Sequence, residues 1–173
     1  MKLEPRKTWR LVAERLLRER DPRRRRNLET VLAHMKAEAA GDLNALMATV
    51  TEDADYKAYG SPDPLLSPKG KAAVREFYTA YIGSGAHRLE FDVDRLVVDD
   101  ECIVTEGMMR IAYPANVLAL IGHEVPDPNG HYLYQARMVV LWPMDEHGLV
   151  KGEDSYVAND GFVGIAGRPV EVE

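Results

Sequence analysis

Two adjacent carboxylates, Glu153 and Asp154, are the side chains of this sequence best suited to acid–base chemistry. They lie in a strand-like run, residues 149–158, where apolar or β-branched residues are expected. A carboxylate among apolar side chains loses hydration, which raises its pKa toward values useful for proton transfer. We therefore predict that one of these acids is a general acid or base. The alternative is that the acid is ion-paired with Arg110 or Arg137 and closes a polar patch.

The run before these acids, residues 131–144, alternates as a β-strand does and has one aromatic face. A turn at residues 145–148, which ends in glycine, joins the two runs and predicts a hairpin. We expect this face to line a cavity. The face is formed by Tyr132, Tyr134, Ala136, Met138, Val140 and Trp142.

The length of the hairpin loop decides which acid reaches the aromatic face. A four-residue loop pairs Val140 with Glu153 and also pairs Met138 with Ser155, so that Glu153 joins that face. A loop one residue longer or shorter places Asp154 there instead, because a one-residue slip exchanges the two faces of a strand. The sequence favours Glu153 and leaves the register open.

Other candidate residues belong to the neighbouring predicted elements. Glu106, between Val104 and Met108 in a second strand-like run, has the same two interpretations as the hairpin acids. Tyr56 and Tyr134 can donate hydrogen bonds to a developing oxyanion, although large buried tyrosines more often belong to the core. The predicted catalytic set is Glu153, Asp154, Tyr56 and Glu106. The predicted substrate-binding set is Tyr134, Met138, Trp142, Ser155, Tyr78 and Arg110.

The composition sets limits on the class of protein. A chain of 173 residues with 46% hydrophobic and 29% charged residues is typical of one soluble globular domain. The single cysteine, Cys102, excludes an internal disulfide, and no apolar run is long enough to span a membrane. The five histidines are scattered and predict no metal site, and no motif for a cofactor is present. We expect a cytoplasmic protein that needs neither a metal ion nor a cofactor.

The net charge of −6 is unevenly distributed along the chain. Residues 1–26 hold 11 Lys/Arg and 4 Asp/Glu, a net charge of +7, and the remainder carries −13. Such a basic arm can bind nucleic acid or anionic lipid. It can also be simply solvated, or lie against its own acidic body or that of a sister subunit. No nucleic-acid motif accompanies the charge, so we favour the solvated or docked interpretation and expect neither a nucleic acid nor a membrane as partner.

The predicted elements give an α+β order, in which helices pack on one face of a curved antiparallel sheet. The apolar spacing predicts a basic N-terminal helix, which Pro22 interrupts, and a second helix from about Asn27 to Gly41. A third helix is predicted from Ser67-Pro68. The predicted strands cover residues 49–59, 88–98, 102–113 and the hairpin; residues 114–128 are left unassigned. We divide the chain into a basic helical extension (1–26), a domain (27–160) and a loose tail (161–173).

This order resembles the NTF2-like superfamily and, within it, the SnoaL-like proteins. The resemblance covers residues 27–158 and implies a cone of curved sheet closed by helices, with an internal pocket and a homodimer. The superfamily includes ketosteroid isomerase, scytalone dehydratase, limonene epoxide hydrolase, polyketide cyclases and noncatalytic binding domains. The segments that carry the resemblance are Gly41-Asp42, Glu52–Tyr56, Lys69–Tyr78, Asp100–Gly107 and Gly148–Tyr156.

The chain departs from the enzymes of this superfamily at several positions. The last-strand position that often carries a pocket carboxylate aligns here with Ser155, and the His–Asp pair of SnoaL-type cyclases is not apparent. Arg110 lacks the aspartate two residues later that would complete the Arg-x-Asp pattern of the epoxide hydrolase. Two functions follow as expectations. One is cofactor-free acid–base catalysis (isomerase, dehydratase or cyclase type) on a small, partly apolar molecule; the other is a noncatalytic ligand-binding or dimerisation module.

Overall fold

A computed structural model of the chain describes residues 2–172, and it has the predicted α+β architecture. Among these residues no helix is long and apolar enough to cross a membrane. The helices are α1 (Lys7–Leu16), α2 (Pro22–Ala40), α3 (Leu43–Met47), α4 (Lys71–Gly83) and α5 (Ala115–Leu120). The strands are β1 (Lys57–Tyr59), β2 (Leu89–Val98), β3 (Cys102–Pro114), β4 (His131–Pro143), β5 (Asp154–Val157) and β6 (Pro169–Val170).

The strands form one curved, unclosed sheet in the order β1-β5-β4-β3-β2, with β6 paired to β4. The pairings of β2 with β3, β3 with β4 and β4 with β5 are antiparallel, as predicted. The pairing of β1 with β5 is parallel, so the sheet is mixed rather than wholly antiparallel. The two strands come from distant parts of the chain, and no hairpin turn constrains their direction.

The sheet has an inner face that packs against the helices and an outer face. The register pairs Ile103 with Trp142 and Thr105 with Val140, and all four side chains are buried. Trp142 donates a hydrogen bond to the Thr105 hydroxyl across this face, at 2.9 Å. Because side chains alternate along a strand, the neighbouring residues of β3 and β4 point to the outer face.

Helix α2 begins five residues before the predicted start at Asn27. Pro22 is its first residue, and the Asp21 carboxylate caps it by accepting hydrogen bonds from the Arg23 and Arg24 amides. Proline suits this position because the first helical amides have no partner within the helix. The prediction was wrong because Pro22 was interpreted as a helix breaker. The end at Gly41, which adopts a left-handed φ of 67°, was predicted correctly.

Helix α1 lies against β2 and α2 and belongs to the main core. Val12 is fully buried in the cluster that also contains Phe91 and Trp142. The Thr8 hydroxyl accepts a hydrogen bond from the Phe91 amide at 3.0 Å. The predicted extension therefore contributes core packing in the described structure. The Arg24–Asp100 ion pair at 2.7 Å joins the basic segment to the acidic body, as the favoured interpretation of the charge asymmetry expects.

Three local predictions differ from the structure. In the segment predicted as the first strand, residues 49–59, only β1 is a strand, and Val50 and Asp55 form isolated bridges. Helix α4 begins at Lys71 rather than at Pro68, because the Pro68 carbonyl accepts the Tyr56 amide and holds that segment extended. The segment after Gly161, predicted as a loose tail, contains β6 and the buried Ile165.

Candidate active site

The register of the last hairpin places Glu153 on the inner face of the sheet. Val140 pairs with Ser155, and Leu141 pairs with Asp154. The predicted pairing of Val140 with Glu153 was therefore wrong by two residues. The bridge from Met144 to Val150 adds one residue to the loop, and an irregularity between Val150 and Asp154 adds the second. A shift of two residues preserves the face of a side chain, because the strand period is two.

Glu153 meets a histidine and a tyrosine from two different helices. Its Oε1 lies 2.9 Å from Nε2 of His34 on α2. The same oxygen accepts a hydrogen bond from the Tyr78 hydroxyl of α4 at 2.6 Å. His34 is fully buried, whereas 18% of the Glu153 side chain is exposed. The carboxylate thus forms the solvent-accessible end of a buried polar cluster, and both recorded contacts use only one of its two oxygens.

The hydrogen bonds of His34 place a proton on one of its ring nitrogens. The Thr49 hydroxyl donates to the Leu46 carbonyl at 2.6 Å, so toward His34 it acts as an acceptor. His34 Nδ1, 2.7 Å from that hydroxyl, must therefore carry a proton. On the other side of the ring, Nε2 lies 2.9 Å from Glu153 Oε1 and 3.2 Å from the Tyr78 hydroxyl. His34, Glu153 and Tyr78 therefore form one polar cluster.

Burial raises the pKa of Glu153, but this effect is outweighed by hydrogen bonds and charge from His34 and by hydrogen bonds from Tyr78 and Tyr56. The resulting pKa of Glu153 lies below its ordinary value of 4.5. The expectation of a raised pKa was wrong, because it considered only the apolar neighbours on the sheet. Glu153 is therefore ionised at neutral pH.

Tyr56 brings a further hydroxyl to this cluster. The residue is 4% exposed, and its ring packs edge-on against Tyr78 with the centroids 6.2 Å apart. The hydroxyl lies near enough to Glu153 to lower the pKa of that carboxylate, but it forms no hydrogen bond of good geometry. The Tyr56 hydroxyl is therefore held by Glu153 and Tyr78 less tightly than the Tyr78 hydroxyl is held by Glu153. A ligand oxygen could offer it a better-aligned acceptor.

A second acid, Glu38, faces the same cluster from α2. Glu38 lies one helical turn after His34, and its side chain is hydrogen-bonded to the Tyr81 hydroxyl. Burial and the negative charge of Glu153 raise the pKa of Glu38 from 4.5 to about 8. The two carboxyl groups therefore differ in charge at neutral pH. Glu153 is ionised, and Glu38 is protonated.

A cavity of about 460 Å³ lies beside this cluster, and its wall includes several aromatic side chains. Ser155 of β5 lines it, and Glu153 is the next inward-facing residue along the chain, roughly 6.6 Å away. Phe77 also lines the cavity and packs against Tyr78, at a centroid distance of 5.1 Å. The volume suits a small organic molecule. Further lining residues are Ile111, Tyr113, Tyr134, Met138 and Phe162.

A family model for the SnoaL-like domain matches residues 31–152. This range includes His34, Tyr56 and Tyr78 and ends one residue before Glu153. The chain belongs to the SnoaL-like domain family. No curated protein matches the sequence.

Three solved structures illustrate the fold that this SnoaL-like protein shares. A proposed SnoaL-like polyketide cyclase from Shewanella putrefaciens has a TM-score of 0.66 at 12% identity, covering 85% of this chain and 86% of that one. An LEH-like epoxide hydrolase from M. tuberculosis has a TM-score of 0.63 at 16% identity, covering 83% and 92%. SalBIII is an epoxide hydrolase/cyclase-like enzyme with a role in pyran ring formation in salinomycin. Its structure has a TM-score of 0.57 at 14% identity, covering 76% of this chain and 90% of that one.

The structure of this SnoaL-like protein separates the predicted site residues into two groups. Glu153, Tyr56 and Tyr78 meet in the polar cluster. Ser155, Tyr134 and Met138 line the cavity. Trp142 is buried, with its ring 5.4 Å from that of His34, and so supports the histidine from behind.

The other predicted residues lie on the outer face and do not join the site. Glu106 is ion-paired with Arg137 at 2.8 Å and with Arg95 at 2.9 Å. Arg110 pairs with the buried Glu90 at 2.5 Å, and Asp154 pairs with Leu141 of β4 on that same outer face. Their strand parity puts them there, so the ion-paired interpretation applies to Glu106.

Sequence reasoning missed His34, Glu38, Thr49 and Tyr81. A signal was present for two of them, since His34 and Glu38 are four residues apart on the apolar side of a helix that also buries Val31 and Met35. Polar residues on a buried helix face require partners. Within residues 2–172, no group of three histidine, cysteine or acidic side chains is arranged to hold a metal ion.

Proposed function

We propose that this SnoaL-like protein catalyses proton transfer on a small, partly apolar carbonyl compound by side-chain acid–base chemistry. The observation that carries the proposal is the ionised Glu153, which contacts His34 and Tyr78 through one oxygen and lies beside the buried hydroxyl of Tyr56. The adjacent cavity supplies room for the apolar part of the substrate.

Each member of the cluster has a defined role in this proposal. The Glu153 oxygen not engaged by His34 removes a proton from a carbon next to the carbonyl group. Tyr56 donates a hydrogen bond to the oxygen on which negative charge develops. His34 and Tyr78 hold the carboxylate in one orientation through its other oxygen. Because the pKa of Glu153 is low, the group is a weak base, and we expect substrates whose C–H is already acidified.

Isotope exchange tests this proposal. The probe is the aldol adduct of acetone and benzaldehyde, a β-hydroxy ketone with one phenyl ring. In D₂O, we expect the protein to exchange the protons next to its carbonyl group, as measured by ¹H NMR. Glu153→Gln should lower this rate by about 10²–10⁴-fold, the usual contribution of a general base. The matched control is Glu146→Gln, in an exposed turn, which should leave the rate unchanged.

A second candidate function is a noncatalytic ligand-binding module. The low pKa of Glu153 favours it, because an acid paired with His34 can have a purely structural role. Calorimetric titration with the same probe separates the two functions. Binding without exchange in the wild-type protein would support the module and reject the enzyme. The homodimer stays a prediction and can be measured by light scattering.

A further inference from the structure

Glu38 is a titratable side chain that the proposed proton abstraction by Glu153 does not use. It lies on α2 one turn after His34, so both side chains project from the same side of the helix. This side faces the sheet, because the neighbouring Val31 and Met35 are buried in the main core. A carboxyl group in that position is far less common than an apolar side chain.

The groups around Glu38 include acids and hydroxyls but no cationic partner. Tyr81 of α4 is hydrogen-bonded to it, and the negative charge of Glu153 faces it from the start of β5. On its own helix, His34 is directed to Glu153 instead. Within the part of the chain that the structure describes, no lysine, arginine or histidine forms a recorded ion pair with Glu38. A lone acid beside an ionised one holds its proton.

Tyr81 connects Glu38 to the wall of the cavity. Its ring packs against Tyr78, at a centroid distance of 6.0 Å, and stacks on Phe77 at 5.9 Å. Phe77 lines the cavity, and Tyr81 also packs against the apolar cluster that contains Ile111, a further lining residue. The Glu38–Tyr81 pair is therefore joined to the cavity wall through one layer of side chains and to the Glu153 cluster through Tyr78.

We propose that Glu38 is a second catalytic residue, which donates a proton to a substrate oxygen while Glu153 removes a proton from carbon. This proposal rests on the proposed function and narrows it. Two acids in opposite protonation states suit a reaction in which acid and base act on different atoms. Loss of water from a β-hydroxy carbonyl compound is such a reaction, and that compound class is the substrate we infer.

In the proposed loss of water, Glu153 and Glu38 act on different atoms of the substrate. Glu153 takes the proton of the carbon next to the carbonyl group, and the electrons of that C–H bond form the new C=C bond. The C–O bond to the hydroxyl group breaks with its electron pair on oxygen, and the proton of Glu38 completes a water molecule. The products are an enone and water. Return of the proton from Glu153 to Glu38 restores the starting state.

Two rates measured on one probe test the role of Glu38. With the aldol adduct of acetone and benzaldehyde, deuterium exchange at carbon reports the base, and formation of the conjugated enone reports acid and base together. In Glu38→Gln, we expect the ratio of enone formation to exchange to fall by about 100-fold, within the usual range for a general acid. Glu38→Asp, which keeps a carboxylic acid, should restore part of that ratio. The control on the same helix is Glu29→Gln, since Glu29 is 51% exposed.

The outcomes distinguish this proposal from the one on which it rests. If the wild-type protein exchanges the probe but Glu38→Gln keeps the wild-type ratio, only the role of Glu38 is wrong. If the wild-type protein exchanges nothing, the proposed function fails and the role of Glu38 fails with it. A variant that merely unfolds would lose both rates in parallel. In that case Tyr81→Phe provides the test, because it removes the hydroxyl that is hydrogen-bonded to Glu38. The ratio of enone formation to exchange should then change in a folded protein. An unchanged ratio would overturn the proposal.

Discussion

Replacing Glu38 with glutamine should make the protein more stable at alkaline pH than the wild type. Glutamine keeps the shape of a protonated glutamic acid and cannot ionise. In the wild type, the folded state binds a proton on Glu38 up to a pKa of about 8, whereas the unfolded chain releases it near 4.5. The stability contributed by this proton is complete below the unfolded pKa and is lost as the pH rises through the folded pKa.

The size of the effect follows from the separation of these two pKa values. A difference of one pKa unit corresponds to about 1.4 kcal/mol, so the shift to about 8 corresponds to roughly 4 to 5 kcal/mol between pH 5 and pH 9. Partial exposure of Glu38 makes this an upper value. The lowered pKa of Glu153 acts in the opposite direction and at more acidic pH, so it does not mask the effect.

Urea unfolding at a series of pH values, followed by circular dichroism, measures this prediction. The free energy of unfolding of Glu38→Gln minus that of the wild type should rise steadily from about pH 5 to pH 8 and then level off. Glu29→Gln, exposed on the same helix, should give a flat difference. A flat difference for Glu38→Gln as well would show that Glu38 ionises normally in the folded state and would refute the reasoning.

Three further substitutions have defined outcomes. Tyr56→Phe removes a buried hydroxyl whose hydrogen bonds have poor geometry, so the free energy of unfolding should change by no more than about 1 kcal/mol. Probe exchange should fall at least about tenfold, and a larger loss of stability would contradict this. Val12→Ala should lower the free energy of chemical unfolding by about 2 kcal/mol. Leu17, which is 85% exposed, is the control, and Leu17→Ala should lower it by less than about 0.5 kcal/mol. Equal effects would contradict the placement of α1 in the core. Gly161→Ala places a methyl group against the Tyr134 ring and should weaken binding of the probe, as measured by calorimetry. Unchanged binding would show that the probe does not contact the cavity wall at Tyr134.

The sequence by itself determined most of the sheet and the face on which Glu153 lies. The predicted strands 88–98 and 102–113 match β2 and β3 within one residue. Glu153 was placed on the inner face although the predicted register was wrong by two residues, because alternation depends only on parity. The same parity rule assigns Glu106 and Arg110 to the outer face once β3 is paired with β4.

Local sequence signals also failed where two interpretations were open. Proline at position 22 can end a helix or begin one. Here it begins α2, because the Asp21 side chain caps the helix. The segment after Gly161 lacks periodicity, yet Val170 pairs with His131 at the end of β4. Such short strands are fixed by the partner they find on the sheet, which the local sequence does not specify.

Only the tertiary structure decided the protonation states that make the site a candidate for chemistry. Glu153 meets His34 and Glu38, more than 110 residues earlier in the chain, when α2 packs on the sheet. Burial raises the pKa of both acids, and only Glu153 receives hydrogen bonds from His34 and Tyr78 that reverse the effect. The pKa of a buried acid is set by the charges and donors within a few ångströms, and the packing of helices on the sheet determines which groups those are.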